Sequence, residues 1–173
     1  KENSGRYLLL SQTNWTFRLF DSPSEFDRGG CVNFYQPDFD ASDWANIFVP
    51  SVWQTQGYDH PIYTNTTQKF ARNFGNKIGY PADLSMAPTT YNPIGLYRRT
   101  FTLPESWSGE RIFLTFEGVD AAFYLWVNGT QVGYAEDSFT ADTFDVTDYI
   151  RYGEENTLAV KVYRWCDGSW LED

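Results

Sequence analysis

Between Ala121 and Ala135 the chain reads AAFYLWVNGTQVGYA, two apolar runs separated by Asn128-Gly129. An Asn-Gly pair supplies the two positive φ angles of a type I′ turn, whose twist matches that of the strands it joins. The stretch is therefore predicted to be an antiparallel hairpin with a two-residue loop, and a hairpin is stable only as part of a larger sheet. Neighbouring segments offer the other strands. LYRRTFTLPESW alternates Tyr97, Arg99 and Phe101 against Arg98, Thr100 and Thr102 until Pro104 ends the pattern. RIFLTFEGV sets Ile112, Leu114 and Phe116 at period two, and NTLAVKVYRW does the same with Leu158, Val160 and Val162. TFDVTDYI reads as a short strand followed by a helical turn. Strands spaced roughly every 8–12 residues, without room for crossover helices, predict an all-β sandwich or barrel.

The first half is less periodic. QTNWTFRLF reads as one strand, and DASDWANIFVPSVWQ as a turn around Asp43-Trp44 followed by an extended segment. Residues 54–93 hold no sustained period of either kind, with Gly, Pro, Asn and Thr throughout. A long irregular loop inside a compact domain is commonly functional, so this one is expected to run over the surface or reach a partner. No repeat or linker divides the chain, and residues 1–173 are read as one domain.

Composition narrows the function. Seven Trp, twelve Tyr and fourteen Phe raise the aromatic share to 19%, which favours strands. A formal net charge of −10 repels phosphate backbones and anionic headgroups, which argues against nucleic-acid and membrane partners. No run of about eighteen apolar residues is present. Cys31 and Cys166 form no disulfide framework and no zinc spacing, and are read as buried or idle thiols.

Candidate chemistry is sparse at the level of motifs. His60 is the only histidine, and neither Ser nor Cys stands in a nucleophile motif near it, so it is read as a loop residue. In EDSFTADTFDVTD the acids Glu136, Asp137, Asp142, Asp145 and Asp148 crowd together, but the sixth position of a calcium loop would be Asp142 instead of Gly. That run reads as a solvated surface. Asn14, Asn65 and Asn128 each begin an N-glycosylation pattern, three short matches of little weight. Asp167-Gly168-Ser169 follows a strand and reads on local grounds as a turn.

Several segments together carry more. VPSVWQTQGYDHPIYTN (residues 49–65), YNPIGLYRRTFTLPESW, FEGVDAAFYLWVNGTQVGYAEDS, FDVTDYI and VYRWCDGSWLED, in this order, resemble the large bacterial β-galactosidases of glycoside hydrolase family 2. The resemblance runs from about Trp15 to Asp173. It implies the family's N-terminal sugar-binding domain, a jelly-roll β-sandwich of the galactose-binding-like type, followed by immunoglobulin-like domains and a (β/α)₈ barrel. It also implies that the parent is a retaining β-galactosidase whose two catalytic glutamates lie in the barrel, so that no catalytic residue is assigned here and the fragment alone is expected to be inactive. Asn65, the asparagine of PIYTN, would bond the galactosyl group. Asp167, the aspartate of DGS, would accept from sugar hydroxyls and help hold a sodium ion that the sugar also touches; magnesium is implied for the parent outside this segment.

By the same resemblance the partners are a galactoside, the other domains of the same chain and further copies of the parent, and burial predicts an apolar face towards those domains that includes Trp170, Leu171 and parts of the 54–93 loop. Residues 66–90 are longer than the corresponding family loop, and Cys166 stands where a small polar residue is expected. A free-standing carbohydrate-binding module, or the same domain of a β-glucuronidase or β-mannosidase, is the alternative reading. The compartment stays open, with the cytoplasm favoured over secretion.

Overall fold

The computed structural model describes residues 6–61, 87–89 and 91–170, the last by its backbone only. Asn65, the 66–90 loop except residues 87–89, and Leu171 thus lie outside the described residues, as does the Trp170 side chain.

Eight strands are described: β1 (Thr13–Phe20), β2 (Ala45–Val49), β3 (Ile94–Thr102), β4 (Phe113–Phe116), β5 (Ala122–Val127), β6 (Thr130–Glu136), β7 (Asp142–Asp145) and β8 (Glu155–Tyr163). Six form one antiparallel sheet in the order β2-β1-β3-β8-β5-β6, and β4 pairs with β7 in a second, two-stranded sheet. The expected hairpin is β5-β6. Val127 faces Thr130 across Asn128 (φ 50°) and Gly129 (φ 86°), and a register shift after Leu125 adds a bulge that twists the pair. The Asn128 side chain is fully engaged. Its Nδ2 donates to Tyr149 O and Asn156 Oδ1, and its Oδ1 accepts from the Thr157 amide.

Alternation sends side chains of the large sheet into two different cores. Trp15, Phe17, Phe123, Leu125, Leu158, Val160 and Val162 face the small sheet, where Leu114, Phe116 and Phe144 meet them. This is the sandwich read from the sequence. The opposite face was not foreseen: Phe20, Ile94, Leu96, Trp126 and Ala159 pack under Phe26, Phe34 and Trp44, which belong to the connection between β1 and β2.

That connection opens with a short helix, α1 (Pro23–Arg28). Ser22 caps it by accepting from the Glu25 amide at 3.2 Å, with Pro23 inside the first turn. Its later carbonyls find a donor on the sheet, since buried Arg98 donates to Phe34 O, Gln36 O (2.9 Å) and Pro37 O (3.4 Å). Backbone that leaves the ladders must be satisfied in this way. Lys161 also points into this layer, its Nζ 4.9–5.2 Å from the ring centres of Phe26, Tyr124 and Tyr163, and burial lowers its pKa.

Along the small sheet runs a cavity of about 1190 Å³, walled by Leu8, Leu10, Trp15, Leu114, Leu158 and Val160 among others, reaching Arg164 and Ser169 at one end. Cys31 and Cys166 are both free and buried.

Candidate functional site

The sheet order decides which chain ends meet. β6 and β8 both run antiparallel to β5, so the last residue of β6, Glu136, comes level through Ala122 with Tyr163 at the end of β8. The chain leaving β8 then bends through Trp165 and Cys166 into a single 3₁₀ turn, Asp167–Trp170. Ser169 shapes that bend: its amide donates to Cys166 O at 3.2 Å, and its Oγ accepts from the Cys166 amide at 3.1 Å. The result presents the exposed Asp167 carboxylate, whose Oδ1 accepts from the Gly168 amide at 3.1 Å.

Glu136 lies against it. One carboxylate oxygen from each of Glu136 and Asp167 and the Cys166 sulfur fall within 4.8 Å of one another. The Tyr134 hydroxyl donates to Glu136 Oε1 from the other side. Burial raises the Glu136 pKa, and the hydrogen bond and charge of Asp167 raise it further, while Cys166 opposes them. The pair is therefore two acids in contact, one of them inclined to keep its proton. Burial likewise pushes the Cys166 thiol up, against the lowering bond from Ser169, so the sulfur is a poor metal ligand beside two carboxylates.

What this arrangement can do follows from its donors. Two hard oxygens of like charge suit a sodium, magnesium or calcium ion, which would relieve their repulsion, and a carboxylate exposed at a turn can accept from hydroxyl groups. As the acid pair of a retaining glycosidase they do not fit. Those carboxyls stand about 5–5.5 Å apart with the sugar between them, whereas oxygens of Glu136 and Asp167 lie within 4.8 Å of one another with the Cys166 sulfur inside the same distance of both.

Of the two site residues expected from the sequence, Asp167 is exposed at the start of the turn after β8 and Asn65 lies outside the described residues; His60, read as a loop residue, is exposed. Glu136 was missed. Its run of acids read as a solvated surface, and Asp137, Asp145 and Asp148 are indeed exposed. The usable signal was the pairing of GYAEDS, at the end of the hairpin, with RWCDGS, at the end of the last strand.

Comparison with known proteins bears on this arrangement. Residues 10–173 match the family described as "Glycosyl hydrolases family 2, sugar binding domain". The chain belongs to that family. Among curated relatives of this sugar-binding domain, a protein named Beta-galactosidase from Priestia megaterium is 47% identical over 170 residues, covering 98% of this chain and 15% of the relative. Another of the same name, from Psychromonas ingrahamii, is 46% identical with the same coverage. The domain thus spans about 15% of the length of these relatives. Among solved structures it resembles a glycosyl hydrolase family 2 member from Bacteroides cellulosilyticus, with a TM-score of 0.58 and 25% identity over 88% of this chain and 17% of that one. A Bacteroides uniformis beta-glucuronidase matches with the same score and identity, over 88% and 14%. The all-β jelly-roll sandwich expected for a family 2 sugar-binding domain is the fold found, and among the described residues no helix is long and apolar enough to cross a membrane.

Proposed function

We propose that this sugar-binding domain belongs to a retaining β-galactosidase and lends Asp167, with Asn65, to a galactoside pocket completed by later parts of the same polypeptide. Asp167 accepts hydrogen bonds from galactosyl hydroxyls, and its ionised form makes these stronger than neutral bonds. Asn65 donates to one hydroxyl and accepts from another. A sodium ion held by Asp167 would neutralise part of the acid pair and offer the sugar a further ligand position; Glu136, kept close by Tyr134, is placed to face it. The acid and nucleophile come from elsewhere, so the domain by itself binds weakly and hydrolyses nothing.

The observation that carries this reading is the exposed Asp167 carboxylate, built onto the end of β8 by the Cys166–Ser169 bonds and paired with Glu136. Galactosides are favoured over glucuronides because the relatives named Beta-galactosidase are 46–47% identical, against 25% for the beta-glucuronidase structure. The test uses the full-length enzyme with nitrophenyl β-galactoside and nitrophenyl β-glucuronide. Wild type is expected to prefer the galactoside, and Asp167→Asn to lower kcat/KM by about 10²-fold at unchanged melting temperature. Preference for the glucuronide, or an Asp167→Asn enzyme of normal activity, refutes the reading.

A further inference from the structure

A buried ion pair lies where the chain leaves β8, three residues before Asp167. The Asp59 side chain is 3% exposed, yet it is paired with Arg164, itself 11% exposed. Its Oδ2 accepts from Arg164 Nη1, from Trp53 Nε1 at 3.3 Å and from Gln54 Nε2 at 3.4 Å, while Oδ1 accepts from the Tyr91 hydroxyl. Asp59 also has φ 58°, in the left-handed region that Asp and Asn enter more readily than other non-glycine residues.

The donors come from three stretches of chain. Trp53 and Gln54 precede residues 66–90, Tyr91 follows them, and Arg164 follows β8. The last two are also laced together by the Asn92 side chain and one backbone bond. Asn92 donates to Trp165 O at 2.9 Å and accepts from the Trp165 amide at 3.0 Å, and the Arg164 amide donates to Pro93 O at 3.0 Å. Burying an ion pair returns little net stability over apolar residues of the same shape, since desolvation offsets the attraction. What a carboxylate with four directional donors does provide is a fixed geometry.

We infer that Asp59 and Arg164 are positioning residues for the sugar site: their ion pair sets the exit of β8, and with it Asp167 three residues on. The inference rests on the galactoside reading above. Neither residue is a sugar contact in this reading; they act by holding the turn that carries Asp167, where an error of about 1 Å costs up to 10²-fold in rate.

The experiment compares full-length wild type, Asp59→Asn, Asp59→Glu and Arg164→Lys, with Asn156→Ala as a control. Asn156 is fully buried at the opposite end of β8, where its side chain serves Arg151 and Glu154. Asp59→Asn is expected to lose at least about tenfold in kcat/KM for nitrophenyl β-galactoside. Asp59→Glu should recover part of that loss, and Asn156→Ala should lower the melting temperature with kcat and KM unchanged. Should Asp59→Asn fail to fold, Arg164→Lys, which keeps the charge without the planar fork, must show the kinetic loss instead. Variants that lose melting temperature alone, as the control does, overturn the inference while the galactoside reading stands. A wild-type enzyme that splits no β-galactoside overturns both.

Discussion

Glu136 illustrates what one side chain's surroundings do to its charge. Its pKa is raised in the folded protein, so the ionised form is disfavoured there relative to the unfolded chain, and stability is lost as pH rises through the folded value. Below the ordinary carboxylate range both states hold the proton and nothing is lost. Glu136→Gln keeps the acceptor for Tyr134 and offers Asp167 a donor without a second charge. In buffer free of sodium and divalent cations it is expected to melt above wild type near about pH 7, with the gap closing towards about pH 4. Melting curves across that range decide it, and a variant no more stable at neutral pH refutes the assignment. Asp145 behaves oppositely. Bonds from Thr147 and Arg111 lower its pKa to about 2, so its contribution is present at neutral pH and fades only as pH falls through the acid range. Neither behaviour was legible in the run of acids, because Glu136 and Asp145 are set apart by what folds against them and not by their neighbours in the sequence.

Among the elements, β3 shows how one missing side chain positions another. At Gly95 a Cβ would sit 2.5 Å from Trp53 Cζ3, 2.9 Å from Cε3 and 3.0 Å from the Tyr97 ring, so the bare backbone lets the Trp53 indole lie flat over the strand. That indole then reaches Asp59. Gly95→Ala is expected to cost about 1–3 kcal/mol by forcing the indole out, measured by urea unfolding, and to weaken the Trp53–Asp59 bond with it. An alanine variant as stable as wild type would mean that Trp53 has room to shift. The same element was read correctly from sequence, with Tyr97, Arg99 and Phe101 on one face, yet alternation carries no information about which neighbour needs a gap. The helix α1 is the converse case: Ser22-Pro23-Ser24-Glu25 is a capping pattern with proline at the first helical position, visible in the sequence and passed over because six residues do not produce a period.

At the scale of the molecule, the large sheet is covered on both faces, by the small sheet on one and by residues 21–44 on the other. The second cover is as well packed as the first. Phe34 is 1% exposed and meets Phe26, Tyr35, Trp44 and Trp126, while Phe17 on the opposite face is 0% exposed and meets Trp53, Tyr58 and Tyr97. Phe34→Ala and Phe17→Ala are therefore each expected to cost about 3–5 kcal/mol, within a single unfolding transition seen alike by fluorescence and circular dichroism. A small loss at Phe34 alone would show residues 21–44 to be a flap and not a layer. The strands, the hairpin and the all-β class were determined by the sequence itself, because period-two alternation and an Asn-Gly turn act over a few residues. Asp167 was also marked there, by its motif. That Glu136 shares its space, that Asp59 grips Arg164 across 105 residues, and that the β1–β2 connection forms a second core were decided only by the tertiary structure. Strand order brings those groups together, and strand order depends on long-range burial that no local pattern encodes.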